Sequence, residues 1–198
     1  MRDVIESAMP DAAANTPPAT VLMSAETLAD TLRQMAREII DGHTGHDFVL
    51  LGVLRRGRPL ADRIADAIEA MSGTRPRVGS LATTLYRDDI RSGKTPVSMP
   101  QGHTHFDFDV DGTYIVLVDD VLYSGRTVRA ALDEIMDYGR PARIQLACLI
   151  DRGLRELPIQ ADYLGLAIST RPRDHIALRL AELDGEDVVL LEPGPLAP

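Results

Sequence analysis

Ile115-Val-Leu-Val-Asp-Asp-Val-Leu-Tyr-Ser-Gly-Arg-Thr127 compresses a strand end, a short polar loop and a helix start into one continuous stretch. Thr113–Val118 predicts a buried strand, and Thr127–Tyr138 a helix turning Val128, Ala131, Leu132 and Ile135 inward. The same order recurs on either side. Upstream, Asp47–Leu54 is a nearly unbroken apolar run, the pattern of a central parallel strand. It ends in the turn Arg55-Arg56-Gly57-Arg58, after which Pro59 suits the first residue of a helix carrying Leu60, Ile64 and Ile68. Arg77–Leu85 and Ile144–Ile150 read as further strands. Ser24 caps an earlier helix with Leu28, Leu32, Met35, Ile39 and Ile40 on one face. Strand–helix–strand alternation of this kind predicts an α/β fold, with right-handed crossovers and a central, mostly parallel sheet flanked by helices. The short apolar pieces between about 159 and 192 predict a small appended sheet or hood.

The chain of 198 residues accommodates one well-buried core, so residues 21–198 are read as a single domain. Residues 1–20, with Pro10-Asp-Ala-Ala-Ala-Asn-Thr-Pro-Pro-Ala-Thr20, read as a disordered leader; acidic Asp3 and Glu6 and the lack of an apolar segment exclude a secretory signal. No apolar run is long enough for a membrane helix. The only cysteine, Cys148, sits in an apolar strand and reads as core packing, which fits a reducing cytoplasm. A net charge of −9 argues against a general nucleic-acid coat, which needs many cations near phosphates. Of 21 basic residues all but Lys94 are arginine, the side chain suited to bidentate phosphate contacts.

Ligands of parallel sheets bind beyond the carboxyl ends of strands, where the loop after Val118 lies. Small residues at Ser124 and Gly125 admit a phosphate close to backbone N–H groups. The helix that follows offers unpaired donors and a positive dipole end. Ser124 and Thr127 add hydroxyl donors, and the adjacent Asp119 and Asp120 can accept hydrogen bonds from two ribose hydroxyls. Taken alone, such a fragment is also an ordinary turn and cap. Arg55, Arg56 and Gly57 form a second strand-end loop whose charge suits a pyrophosphate, or else a solvated helix start. Residues 86–112 lack periodicity and read as a lid, opened by Leu85-Tyr86-Arg87-Asp88-Asp89. Asp107-Phe-Asp109-Val-Asp111-Gly112 begins like a calcium loop, but its twelfth position is Val118 and no helix precedes it. His103 and His105 have no further ligands nearby and read as loop histidines.

The thirteen-residue stretch resembles the phosphoribosyl pyrophosphate (PRPP) signature of type I phosphoribosyltransferases. The longer Asp119–Arg129 segment, Gly139-Arg-Pro, and Asp151-Arg-Gly-Leu-Arg-Glu-Leu-Pro-Ile-Gln-Ala-Asp-Tyr163 resemble the PyrR family. Its members are pyrimidine-operon attenuation regulators with uracil phosphoribosyltransferase activity. The resemblance implies a type I phosphoribosyltransferase fold and the reaction uracil plus PRPP to UMP plus pyrophosphate, with Mg2+ carried on PRPP rather than by a protein metal site. It implies PRPP binding by Asp119, Asp120, Val121, Ser124, Gly125, Arg126 and Thr127, and by Arg55, Arg56 and Gly57 at the pyrophosphate. Asp119, Asp120, Arg56, Tyr86 and Arg87 would be the catalytic set, with Asp151 and Arg152 at the base. It further implies a homodimer or homotetramer in pyrimidine salvage.

The chain departs from the family pattern at Leu54-Arg55 in the pyrophosphate loop. It also departs at positions linked to RNA contact: Leu154 for His, Gln160 for Arg, and Leu166-Ala167 for Lys-Asn. Arg33, Gln34 and Arg37 stand where Thr, Arg and His are usual. Replacing donors by Leu removes phosphate and base contacts. Arg155 and Thr170 remain as candidate RNA contacts, with Arg171 and Arg173 as substitutes. The sequence thus favours the enzyme, with a UMP-responsive RNA-binding regulator as the alternative.

Overall fold

A computed structural model of the chain describes residues 17–83 and 103–195. Five strands form a wholly parallel sheet: β2 (Phe48–Val53), β3 (Val78–Leu81), β4 (Tyr114–Leu122), β5 (Arg143–Asp151) and β6 (Tyr163–Ala167), in the order β3-β2-β4-β5-β6. Alternate residues feed two cores, because successive side chains of a strand point to opposite faces. On one face Leu50, Val116, Val118 and Leu149 pack against α1 (Ala25–Gly42) and α2 (Gly57–Ser72). On the other, Leu51, Val53, Leu117 and Cys148 pack against α3 (Arg126–Tyr138) with Phe108 and Val110.

The helices follow from local sequence. Ser24 caps α1 by accepting from the Thr27 N–H at 3.2 Å, and Leu28, Leu32, Met35, Ala36 and Ile39 form its buried stripe. α2 begins at Gly57, two residues before Pro59, so the proline occupies the first turn, where its missing N–H costs no intrahelical bond. The helix ends at Gly73, whose φ of 76° supplies the left-handed cap.

Four expectations are adjusted. The carboxylates Asp119 and Asp120 lie within β4, which runs on to Leu122, rather than in the loop beyond Val118. The tail is divided, since β6 extends the parallel sheet while only β7 (His175–Arg179), α4 (Ala181–Asp184) and β8 (Val188–Glu192) build the hood. The third hood strand is β1 (Thr20–Met23), antiparallel to β8, so the last residue read as leader already belongs to a strand. Residues 103–112 are anchored rather than lid-like. His105 bridges to Ser80, Phe108 and Val110 are buried, and the Thr104 hydroxyl donates to the buried Glu134 carboxylate of α3. The remainder of the expected lid, with Tyr86 and Arg87, lies outside the described residues. Among the described residues no helix is long and apolar enough to cross a membrane.

Candidate active site

The sheet order places a switch point between β2 and β4: from β2 the chain winds outward to β3, and from β4 it winds the other way through β5 to β6. Loops leaving the carboxyl ends of two such strands diverge and open a crevice, the usual ligand position in open α/β sheets. The two loops here are 54–57 after β2 and 123–125 after β4, the two candidate phosphate loops of the sequence.

At the end of β4, Asp119 is buried and its Oδ1 accepts the Asp120 N–H at 3.0 Å; Asp120 is half-buried and its Oδ1 accepts the Val121 N–H at 3.0 Å. Each carboxylate is oriented by the next peptide of its own chain. Gly125 follows as the N-cap of α3 with φ of 92°, a left-handed conformation that favours glycine, and it brings no capping side chain of its own. A Cβ there would also lie 3.3 Å from Leu157 and Ile159. Ser124 Oγ accepts the Arg126 N–H at 3.4 Å. The first turn of α3 thus presents its N–H groups and dipole end beside two hydroxyls and two carboxylates.

The segment 151–159 has a role that the sequence did not reveal: it scaffolds this cradle. Glu156 and Leu157 N–H groups both donate to the Ser124 carbonyl at 3.0 Å, and Arg152 N–H donates to Leu122 O at 3.1 Å. Arg155 spends its whole guanidinium internally. Its Nε donates to Ile159 O at 2.9 Å, Nη1 to Tyr123 O at 2.6 Å, and Nη2 to Asp151. Arg126 pairs with Glu156 at 2.8 Å. Asp151 also accepts the Gly153 N–H at 2.9 Å, while buried Arg152 donates to Thr170 Oγ1 at 3.0 Å and Arg171 O at 2.9 Å and stacks over the Tyr123 ring at 4.5 Å. Thr170 returns a bond to Arg152 O at 3.1 Å. Asp151 ends β5 and Arg152 follows it, and both are parts of a hydrogen-bonded frame. Arg155 and Thr170, the candidate RNA contacts, belong to the same frame.

On the β2 side, Gly57 packs so tightly on β4 that a Cβ would overlap the Val118 carbonyl oxygen and stand 3.5 Å from Asp119 Cα. Glycine here brings loop 54–57 against the carboxylate-bearing end of β4. Arg55 is exposed. Arg56 instead turns to the hood, its Nε donating to Leu178 O at 2.5 Å and its Nη2 to both Asp184 oxygens at 3.2 Å. The Leu180 N–H, and after it the Arg56 charge, hold the Asp184 carboxyl below the usual carboxylate range.

Cys148 faces Asp119 across the β4–β5 register. It is fully buried, and burial followed by the two nearby carboxylates pushes its thiol up, so it packs and does not attack. In the calcium-like stretch, Asp109 accepts the Asp111 N–H at 3.0 Å and Asp111 the Arg140 N–H at 2.5 Å, which makes them turn-forming residues. A cavity of about 720 Å³, lined by His43, His46, Phe48 and Thr113, opens at the opposite, amino end of the strands and takes no part in this site.

A phosphoribosyl transferase domain model matches residues 22–183. The "Bifunctional protein PyrR" of Chloroflexus aurantiacus is 50% identical over 175 residues, covering 87% of this chain and 94% of its own. The chain belongs to the PyrR family. That of Pelotomaculum thermopropionicum is 49% identical over 174 residues, covering 86% and 94%. That of Streptomyces coelicolor is 48% identical over 172 residues, covering 86% and 88%.

Among solved structures, the chain resembles the hypoxanthine phosphoribosyltransferase of Trypanosoma cruzi, with a TM-score of 0.66, 18% identity and coverage of 88% and 97%. It also resembles a hypoxanthine-guanine phosphoribosyltransferase of Bacillus anthracis, with a TM-score of 0.63, 18% identity and coverage of 87% and 96%. At that identity the likeness establishes the fold, the type I phosphoribosyltransferase fold, and the choice of base does not follow from it. This PyrR-family chain therefore has the expected α/β phosphoribosyltransferase fold, with its candidate phosphate loops at the switch point.

Proposed function

We propose that the protein is a uracil phosphoribosyltransferase of the PyrR type, converting uracil and PRPP to UMP and pyrophosphate in pyrimidine salvage. The observation that carries this reading is the crevice at the β2–β4 switch point. There an oriented carboxylate pair, a glycine-capped helix start and an arginine-bearing loop stand together, in a chain about half identical to PyrR proteins.

In this reading Asp119 and Asp120 accept the two ribose hydroxyls, and Ser124–Thr127 with the α3 N–H groups hold the 5-phosphate. Loop 54–57 receives the pyrophosphate. The C1′–O bond to pyrophosphate breaks, the C1′–N1 bond to uracil forms, and the N1 proton leaves to solvent. Positive charge develops on the ribose ring and negative charge on the leaving group, so fixed charges and positioning supply the catalysis rather than a protein nucleophile. Mg2+ carried on PRPP would neutralise phosphate charge. The oxygen donors Asp119 and Asp120 are the hard ligand type that suits it, within a site otherwise furnished by the substrate. Asp151 and Arg152 border the base and fix the frame around it. Residues 20–195 act as one domain, in a cytoplasmic homodimer or homotetramer, a setting that the single buried cysteine suits.

The relatives' name, bifunctional, favours a second reading, a UMP-responsive regulator that binds pyrimidine-operon leader RNA. Arg155 and Thr170 are committed to internal bonds and Arg171 is paired with Asp174, so RNA contact would fall to other groups, among them exposed Arg173. Leader RNA that binds tightly, and more tightly with UMP, supports the regulator; RNA that does not bind at physiological salt removes it.

The test of the enzyme is base choice. Purified protein with magnesium and PRPP should form UMP from uracil and no nucleotide from hypoxanthine. Conversion of hypoxanthine without conversion of uracil overturns the assignment.

A further inference from the structure

We propose that Asp184 is a positioning residue for the pyrophosphate loop, acting through Arg56, so that Arg55 rather than Arg56 is the side chain left to meet the pyrophosphate. The inference rests on the reading of loop 54–57 as the pyrophosphate site and refines it.

Three residues join β2 to α2, and the fixed points around them are unequal. Leu54 N–H donates to Leu81 O at 2.9 Å, and Gly57 is wedged against the Val118 carbonyl. Arg56 is held by the hood at Leu178 O and by both Asp184 oxygens. Asp184 cannot swing to follow it. Its Oδ2 accepts the Leu180 N–H at 3.0 Å, its own N–H donates to Leu180 O at 2.7 Å, and Leu180 is fully buried. The carboxylate is therefore fixed to the hood backbone, and it decides where the Arg56 guanidinium points. Arg55, between these anchors, is exposed.

The Arg56–Asp184 side chains are 33% and 26% exposed, so the pair adds little to stability, and its consequence is geometric. A second link separates the two effects. Arg63, two turns along α2, binds Glu182 at 2.6 Å and Asp187 at 2.7 Å. It ties the hood to α2 without touching loop 54–57.

Two measurements test the proposal: calorimetric binding of magnesium pyrophosphate, and steady-state kinetics with PRPP and uracil. Asp184→Asn retains an oxygen for the Leu180 N–H but loses the charge that holds Arg56. It should weaken pyrophosphate binding and raise KM for PRPP about tenfold, the scale of one misplaced contact, while KM for uracil stays within about twofold. Asp184→Glu should recover most of the loss. Arg56→Gln combined with Asp184→Asn should be no worse than Arg56→Gln alone, because both act through one contact. Arg63→Gln should lower Tm yet leave pyrophosphate affinity within about twofold. Unchanged pyrophosphate affinity in Asp184→Asn overturns the proposal, as does an equal loss in Arg63→Gln. If the wild-type protein binds pyrophosphate but makes no UMP, the uracil reading fails and the calorimetry still decides the role of Asp184.

Discussion

Replacing Gly57 with alanine tests whether loop 54–57, the proposed pyrophosphate site, is held on the carboxylate-bearing end of β4 by close backbone contact. Gly57 is the first residue of α2 and is not among the positive-φ glycines, so alanine can adopt its backbone conformation. On local grounds the change should help, by about 0.5–1 kcal/mol from helix propensity and a less flexible unfolded chain. The packing opposes it. The new Cβ would overlap Val118 O, stand 3.3 Å from Val118 C, and meet backbone rather than a side chain that can rotate away. Opening such a contact in a packed core costs about 1–3 kcal/mol. The clash outweighs the gain, and Gly57→Ala should lose about 1–2 kcal/mol in urea denaturation. Because the shift moves loop 54–57 away from Asp119, kcat/KM for PRPP should fall by about 10²-fold, the scale of an ångström of misplacement. An alanine variant that is more stable than wild type, or that keeps kcat/KM within about threefold, refutes the reasoning.

Leu154 adopts φ of 60° while 40% exposed. Relief of left-handed strain worth about 1–2 kcal/mol exceeds the packing lost, so Leu154→Asn should stabilise by about 0.5 kcal/mol in chemical denaturation; a loss of that size contradicts it. Arg171, bound side chain to side chain, lowers the Asp174 carboxyl from its ordinary 3.8 to about 2, and the hood carboxylates Glu182, Asp184 and Asp187 are lowered too. Carboxyls depressed by folding stabilise above their unfolded values and lose that contribution as pH falls through the folded ones. Tm should therefore fall between about pH 4 and 2, and Asp174→Asn should flatten that fall; an unaltered profile in the variant removes Asp174 from the account.

The parts of the fold legible in the sequence are those fixed by local pattern. The inward faces Leu28/Leu32/Met35/Ile39, Leu60/Ile64/Ile68 and Val128/Ala131/Ile135 are buried, with Ile40 and Leu132 half-buried at their margins, because helical periodicity records burial directly. The parallel strands at 48–53 and 143–151 were visible as apolar runs. What escaped depends on distant partners. The four residues of β1 are a strand only because β8, some 170 positions away, pairs with them. Tyr163–Ala167 looks like any short apolar piece, and only the β5 edge makes it part of the main sheet. Residues 103–112 lack periodicity yet are anchored through Thr104 and Glu134, a bond that no spacing rule reveals.

The candidate site divides in the same way. The segment 119–127 was legible as a strand end, a short turn and a helix start, because small residues such as Ser124 and Gly125 mark such a turn. The turn of Arg56 toward the hood and the scaffold role of Arg155 were not, because an arginine's partners are set by tertiary placement. The structure brings the segments named by the resemblance to the strand ends around the β2–β4 switch point, and it shows that Arg56 and Arg155 are spent on internal bonds.

The most direct test of the central claim, that the end of β4 holds the ribose of PRPP, is kcat/KM for PRPP in UMP formation by Asp120→Asn. One hydrogen bond to a charged acceptor, worth about 1.5–3 kcal/mol, predicts a fall of roughly 10–10²-fold with the folded state intact. A variant that folds and turns over PRPP within about threefold of wild type contradicts the account.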